Sequence, residues 1–237
     1  SYRVAPIAIG TNTDAYQPIE RDYGIMREVL EVLWEHRHPV SITTKGALLL
    51  RDLELLGRMG RAGLASVTVS LTTLDNRLSR RLEPRAAAPV KRISLVRAFA
   101  DKGVPVSVNL APVIPGLTDH EVERLVAAAA EAGAGAASLT LLRLPLEVAP
   151  IFKDWLAREY PDRAERVMNR VRESHGGREY DPTWGKRLTG EGVHAKLILR
   201  RFAQACRRHG LGAEKPRLRC DLFRVPPRPG DQLHLAI

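Results

Sequence analysis

The stretch VSITTKGALLLRDLELLGRMGRAGLASVTVSL, from Val40 to Leu71, indicates the fold class. It opens on a β-type run that ends at Thr44, continues as an apolar helical pattern from Leu48 to Leu56, and closes on a second β-type run that begins at Ser66. A strand, a helix and another strand within about thirty residues form the pattern of a βαβ unit, in which the two strands lie parallel. We therefore expect an α/β fold with helices packed on a parallel sheet.

The same alternation extends on both sides of this stretch. The other β-type runs are residues 4–9, 104–113 and 137–142. Asp75 is a predicted N-cap, and Thr118 with Glu121 has the spacing of a capping box before a helix that Gly133 is expected to end. Five strands are too few for a closed eight-stranded barrel, and no GxGxxG follows the first strand. An incomplete βα barrel is therefore favoured over a dinucleotide-binding fold.

Length and composition narrow the class of protein further. The 237 residues, 44% of them hydrophobic and 27% charged, are enough for one substantial core. No apolar run approaches the roughly 18 residues of a membrane span, so we expect a soluble protein with no membrane partner. The two cysteines, Cys206 and Cys220, are too few for a disulfide framework or for a cluster with three or four thiolate ligands, and they favour a cytoplasmic location. Because the chain opens Ser-Tyr-Arg-Val without an initiator methionine, we expect it to begin inside a longer reading frame.

The sequence pattern changes near residue 150. We predict an incomplete barrel core over residues 1–150 and a helical, basic extension over residues 151–237. From Lys196 to Arg228 there are ten basic and two acidic residues, so this segment carries +8 of the formal net charge of +10. A solvated helix face is the simpler interpretation. The alternative is a non-enzymatic nucleic-acid-binding module, with Trp184 and Tyr180 available for base stacking.

Polar segments follow the predicted strands, at the edge where ligands bind in parallel βα folds. These segments are GTNTDAYQP (10–18), TTK (43–45), SLTT (70–73), APVIPG (111–116) and LRLP (142–145). They offer hydroxyls, an amide, a carboxylate, a lysine and exposed backbone, which suit a polar cofactor that carries an amino acid group and a sugar. The structural alternative makes Asn12 and Asp14 turn formers and Ser70 a satisfied strand-end hydroxyl. A Schiff base on Lys45 is a less favoured hypothesis, because the sequence pairs it with no proton shuttle.

The ordered set of motifs resembles the radical S-adenosylmethionine proteins, specifically the bacterial branch related to spore photoproduct lyase. The motifs are GTNTDAYQPIE, RHPVSITTK, VSLTTLD with RRLEPR, NLAPVIPGLTD, LLRLPLEV and YDPTWGKRLTGEG, and the likeness runs from Ile7 to about Phe223. The resemblance implies a partial (βα)6 barrel that lacks its first strand and carries a helical C-terminal extension. It also implies two cofactors, S-adenosylmethionine and a four-iron four-sulfur cluster that cleaves it reductively to a 5′-deoxyadenosyl radical. A flavodoxin or ferredoxin is the implied electron donor of the full-length protein.

The resemblance also assigns cofactor-binding positions, motif by motif. The segment from Gly10 to Asp14 matches the place where the methionine amino group is held, and Thr44, Lys45 and Ser70 match positions near the carboxylate and the ribose. Ala111 with Pro112 matches the backbone beside the adenine. Glu83 and Arg85, in RRLEPR, are expected to brace the site. The candidate cofactor-binding residues are thus Gly10, Thr11, Asn12, Thr13, Asp14, Thr44, Lys45, Ser70, Ala111 and Pro112.

Two departures from the family pattern bear on activity. The cluster is normally held by a CxxxCxxC motif after the first barrel strand, and this chain has neither; Cys206 and Cys220 have the wrong place and spacing. We therefore expect that this chain by itself does not bind the cluster and is inactive, with the missing part upstream of Ser1. Second, the lyase carries a cysteine just before the residue that Asp14 matches, where this chain reads Thr-Asn-Thr. Photoproduct repair is therefore not predicted, and the substrate stays unassigned.

Overall fold

The computed structural model describes residues 2–183, 188–213 and 216–226. Its centre is a sheet of five strands in the order β1-β2-β3-β4-β5, and every neighbouring pair is parallel. The strands are β1 (Ile7–Ile9), β2 (Val40–Thr44), β3 (Ala65–Leu71), β4 (Val106–Val113) and β5 (Ala136–Leu141). The expected α/β fold, with parallel strands in sequential order, is confirmed.

Helices connect the strands and continue after the sheet. They are α1 (Glu20–Tyr23), α2 (Ile25–Glu35), α3 (Leu53–Arg61), α4 (Asn76–Leu82), α5 (Pro89–Asp101), α6 (Val122–Glu131), α7 (Val148–Glu159), α8 (Pro161–Glu173) and α9 (Gly192–His209). Short 3-10 helices, Ala47–Asp52 and Asp119–Glu121, precede α3 and α6. Each connection from β1 to β5 therefore contains helix, as parallel neighbours require.

Buried apolar residues explain why these elements pack as they do. β3 lies in the middle of the sheet and is buried along its whole length. α3 packs closely on the neighbouring connection, since a Cβ on Gly60 would lie 2.8 Å from the Cα of Val104. A larger side chain at this position would push the helix away from the connection that leads into β4.

The helix boundaries test the predicted caps. The Asp75 carboxylate accepts hydrogen bonds from the backbone N–H groups of Arg77 and Leu78, so the predicted N-cap of α4 is confirmed. Gly133, with φ of +92°, follows Ala132, the C-cap residue of α6, as expected. Left-handed backbone of this kind is accessible to glycine without a steric cost.

The predicted capping box at Thr118 and Glu121 is wrong. The Thr118 hydroxyl accepts a hydrogen bond from the backbone N–H of Ile114 at 2.8 Å. The Glu121 carboxylate accepts from the Thr73 hydroxyl and from the backbone N–H of Leu74. Both side chains thus have tertiary partners, and α6 begins at its N-terminus without a side-chain cap.

The C-terminal helices pack on one another, and α9 also packs on the sheet. α9 contributes Ala195, Ile198 and Cys206 to the main core, and residues of α7 and α8 form a second core against the connections that follow β4 and β5. Residue 150, where we predict the division into 1–150 and 151–237, lies within α7. The division stays a prediction. In the described part of the chain, no helix has the length and apolar character needed to cross a membrane.

Candidate functional site

A cavity of about 330 Å³ lies at the carboxyl ends of the strands. Its lining residues are Gly10, Thr11, Asn12, Asp14, Thr43, Thr44, Lys45, Ser70 and Asn109. Seven of the ten predicted cofactor-binding residues are among them, because the carboxyl ends of parallel strands meet at one edge of the sheet. Their roles in binding stay predictions.

The other three predicted residues lie outside the cavity lining. Thr13 is exposed in the loop after β1, and Ala111 and Pro112 lie on β4, joined by a cis peptide bond. The carbonyl oxygen of Ala111 lies 2.9 Å from the Thr72 hydroxyl, which is within hydrogen-bond distance. The backbone at Ala111 is therefore close to a residue that follows the neighbouring strand.

Two residues of the cavity wall were not among the ten candidates: Thr43, which lies in the predicted polar segment 43–45, and Asn109, which sequence reasoning missed. Asn109 lies on β4, and its side-chain oxygen is 3.2 Å from the Ser138 hydroxyl and 3.4 Å from the Thr140 hydroxyl of β5. An amide side chain in a mostly apolar strand, two residues before Ala111, is the signal that could have identified it.

Asp14 ties the loop after β1 to the end of β2. Its carboxylate accepts hydrogen bonds from the backbone N–H of Tyr16 at 3.0 Å, from the backbone N–H of Lys45 at 2.8 Å and from the Thr44 hydroxyl at 2.8 Å. The Thr44 hydroxyl in turn accepts from the N–H of Gly46 at 2.8 Å. Asp14 is thus a turn former, as the structural alternative held, and it also lines the cavity.

Gly10 allows this loop to cross close to β2. Its φ is +82°, and a Cβ at this position would lie 2.0 Å from the carbonyl oxygen of Thr43. Real Cβ atoms do not approach an oxygen so closely, so only glycine fits. The exposed residues Thr11 and Asn12 follow directly, and their place at the cavity depends on this close approach.

A buried network anchors the same loop from its other side. The Tyr16 hydroxyl donates to the Asp52 carboxylate at 2.9 Å, and Asp52 is fully buried. Arg27 and Arg51 neutralise that carboxylate at 3.2 and 3.5 Å. Burial, reinforced by the Asp52 charge, raises the pKa of Tyr16, so its hydroxyl stays protonated and remains a hydrogen-bond donor.

Lys45 lies at the cavity wall and forms an ion pair with Glu83. Burial alone would raise the pKa of Glu83, but the positive charges of Lys45 and Arg92 outweigh it, so that the pKa is lowered and the carboxylate stays ionised. Arg85, the other residue that we expected to brace the site, is exposed. A Schiff base needs a neutral amine, whereas Lys45 is the cation of an ion pair, so the geometry gives that hypothesis no support.

The chain's cysteines do not fit an iron–sulfur cluster, whose ligands are thiolates. Cys206 is buried in the core of α9, where burial raises the pKa of its thiol, and Cys220 is partly exposed. Over the ranges that the structure describes, no three His, Cys, Asp or Glu side chains are grouped so that they could hold a metal ion.

The parallel sheet, with a polar cavity at its carboxyl edge, defines an α/β protein of the βα-barrel type, and that cavity is its candidate site. The chain belongs to the Radical SAM superfamily, whose sequence profile matches residues 6–129, just over half of its length.

Two relatives from a bacterium and an archaeon are similar to most of this chain. An uncharacterized protein of Mycobacterium tuberculosis is 34% identical over 205 residues, which cover 86% of this chain and 59% of the relative. An uncharacterized protein of Methanocaldococcus jannaschii is 29% identical over 167 residues, which cover 70% of this chain and 60% of the relative. The chain thus spans about three fifths of the length of these proteins.

The fold is similar to that of spore photoproduct lyase. A structure of a variant of that enzyme in which one cysteine is replaced by serine has a TM-score of 0.60 and 16% identity, and the match covers 89% of this chain and 61% of the lyase chain. A double variant with bound AdoMet and dinucleoside spore photoproduct gives a TM-score of 0.57 at 17% identity, with the same coverage. At this identity the likeness shows a shared fold.

Proposed function

We propose that this chain is the S-adenosylmethionine-binding body of a radical SAM enzyme. The observation that carries the proposal is the single cavity that gathers seven residues predicted from the family motifs. Its volume of about 330 Å³ lies within the range of small-molecule sites, about 300–1,000 Å³. In the full-length enzyme, S-adenosylmethionine and a four-iron four-sulfur cluster would supply reductive cleavage to a 5′-deoxyadenosyl radical.

The donor set of the cavity suits the polar parts of S-adenosylmethionine. Lys45 provides a cation for the carboxylate of the ligand, and Asp14 with the backbone after Gly10 provides acceptors for its ammonium group. Ser70 and Asn109 provide a hydroxyl and an amide for the ribose. These residues bind and orient the ligand, so that the bond to be cleaved has one fixed position.

The cluster itself has no ligands among the described residues, so no step through it is assigned to this chain. We propose that the cysteine ligands of the cluster lie in a part of the full-length protein outside this chain. This chain alone is then expected to bind S-adenosylmethionine without cleaving it. A flavodoxin or ferredoxin is the proposed electron donor of the complete enzyme. The substrate of the radical stays unassigned.

Isothermal titration of the chain with S-adenosylmethionine tests the proposal. The Lys45→Met variant should bind at least tenfold more weakly, because it removes the cation that faces the carboxylate. Lys91→Met, at an exposed position of α5 outside the cavity lining, is the matched control and should bind like the unaltered protein. Absence of binding by the unaltered protein, or equal affinity of the two variants, contradicts the proposal.

A second candidate function is nucleic-acid binding by α9. Lys196, Arg200, Arg207 and Arg208 are exposed, and no ion pair to them occurs in the described ranges. The spacing of Lys196, Arg200 and Arg207 places them on one face of the helix. The ring of Tyr180, which the hypothesis uses for base stacking, has its centroid 5.9 Å from the Arg143 guanidinium carbon. The same hypothesis includes Trp184, residues 214–215 and residues 227–228, which lie outside the described residues.

Salt dependence tests the second candidate. Four phosphate contacts to single-stranded DNA give a slope of about −3 in log affinity against log salt, so affinity should fall about fiftyfold between 50 and 200 mM salt. Fluorescence anisotropy with a labelled oligonucleotide measures this. Replacing Arg200 and Arg207 by glutamine should make the slope shallower by about one and a half units, and the same change at Arg163 and Arg166 of α8 is the control. Binding that ignores salt rules out this candidate.

A further inference from the structure

The Glu83 carboxylate is a meeting point of three segments around the cavity. Besides its ion pair with Lys45, it accepts a hydrogen bond from the Arg92 guanidinium at 2.8 Å. The Thr72 hydroxyl lies 3.0 Å from the same carboxylate and 2.9 Å from the carbonyl oxygen of Ala111, and its single proton serves one of the two. Glu83 thereby links the ends of β2 and β3 to the start of α5.

Arg92 fixes the position of the Glu83 carboxylate. Arg92 is 2% exposed, and its guanidinium also donates to the carbonyl oxygens of Ala87 at 2.7 Å and Ser70 at 3.1 Å. Three fixed partners leave this planar group a single orientation. The Glu83 oxygen that it binds therefore has a defined place behind the cavity wall at Ser70.

Both backbone groups of Lys45, its carbonyl oxygen and its N–H, form hydrogen bonds to neighbouring segments. Its carbonyl oxygen accepts a hydrogen bond from the backbone N–H of Ala87 at 3.1 Å, and its backbone N–H donates to Asp14 at 2.8 Å. Its side chain is 35% exposed and lines the cavity, while the side chain of Glu83 is 11% exposed. An ammonium group has three N–H donors, so Lys45 can keep its bond to Glu83 and still donate to a ligand.

We propose that Glu83 is a positioning residue for ligand binding, which holds the Lys45 ammonium at the cavity wall where it meets the carboxylate of the ligand. The inference rests on the proposed function and gives a specific role to Glu83, a residue that the resemblance expects only to brace the site. A free lysine side chain has high rotamer freedom, which is lost when a ligand binds it. Because Glu83 restricts that freedom before binding, part of this loss no longer opposes the ligand.

Glu83→Asp isolates position from charge. The aspartate keeps the negative charge that Arg92 needs, but its carboxylate is withdrawn by one methylene group. Either Lys45 follows the shorter side chain and leaves the cavity wall, or it stays there without its partner. Both outcomes weaken binding of the ligand carboxylate, and we expect about fivefold weaker binding of S-adenosylmethionine.

Titrations with two probes separate this role from general damage. S-adenosylmethionine carries the amino acid carboxylate, whereas 5′-methylthioadenosine has the adenosine and the sulfur without it. Glu83→Asp should weaken only the first. In a Lys45→Met background the added Glu83→Asp change should alter the affinity for S-adenosylmethionine by less than twofold, because Glu83 acts through Lys45.

A ligand-free measurement complements the titrations. Mass spectrometry of lysine acylation should show Lys45 reacting several times faster in Glu83→Asp than in the unaltered chain, with the exposed Lys91 as internal control. If the unaltered chain binds neither probe, the proposed function is overturned, and this inference is overturned as well because it rests on that function. If it binds both and Glu83→Asp leaves the affinities unchanged, weakens both equally, or adds its effect to that of Lys45→Met, the inference alone is overturned.

Discussion

Replacing Gly10 by alanine tests how the loop after β1 is held at the cavity. Gly10 has φ of +82°, and its added Cβ would lie 2.0 Å from the carbonyl oxygen of Thr43. Gly24 has a similar φ of +68°, but a Cβ there would meet nothing within 4 Å. The two glycines therefore have the same backbone requirement and differ in the space beside them, which makes Gly24→Ala the matched control.

The expected magnitudes follow from this difference. A left-handed conformation costs a residue other than glycine about 1–2 kcal/mol, and this is all that Gly24→Ala should lose. At Gly10 the loop must also move more than 1 Å away from β2. This movement disturbs the pairing of β1 with β2, because β1 has only three residues paired with that strand. Loss of one or two of these hydrogen bonds adds about 1–2 kcal/mol, so Gly10→Ala should be destabilised by about 3 kcal/mol.

Urea unfolding and thermal unfolding measure both variants. For a chain of this size, about 3 kcal/mol corresponds to a Tm lower by roughly 6 °C, against roughly 3 °C for Gly24→Ala. Only Gly10→Ala should also lose affinity for S-adenosylmethionine, since Thr11 and Asn12 would leave the cavity wall. If the two variants unfold within 0.5 kcal/mol of each other, on the order of ordinary measurement spread, the close approach of the loop to β2 is not what makes glycine necessary.

Three further predictions concern the site and the core. Because the pKa of Glu83 is lowered in the folded chain, its charge stabilises the protein above the ordinary glutamate pKa of 4.5. This contribution is lost as the pH falls through the lower folded value, so the free energy of unfolding in urea should vary less steeply between pH 6 and 3 in Glu83→Gln. Asp14→Ala leaves the N–H groups of Tyr16 and Lys45 without their acceptor and should lower the free energy of unfolding by about 1–3 kcal/mol, whereas an unchanged value contradicts the tie between β1 and β2. Leu56→Ala opens a cavity at a fully buried position of α3 and should cost about 2–5 kcal/mol, while a loss below about 1 kcal/mol would show that α3 is not packed on the sheet.

Patterns within a few residues predicted most of the fold. The β-type runs of β2 and β3 and the helical pattern between them appear in the structure within a few residues of their expected bounds. The N-cap at Asp75 and the stop at Gly133 were also predictable, because each depends on backbone groups close by in the chain. Propensity and capping act over one helical turn, and the sequence displays that range directly.

The failures have a common cause in contacts between distant segments. Thr118 and Glu121 have the spacing of a capping box, yet Glu121 bonds to Thr73, which lies 48 residues away in the chain. Similarly, no local pattern marks Arg92 as the partner of Glu83 and of the backbone at Ser70. Such partners depend on how α5 and α6 pack against the strands, and spacing along the chain does not encode that packing.

By itself the sequence determined the alternation of strands and helices, and with it the edge of the sheet at which polar residues gather. That much follows because parallel strands joined by helices place all their carboxyl ends on one side. Only the tertiary structure decided which polar residues form the cavity wall and which hold it from behind: Lys45 at the wall, Glu83 and Arg92 behind it, and Asp14 between two loops. These assignments depend on side-chain distances of about 3 Å between segments far apart in sequence, and only packing fixes distances of that size.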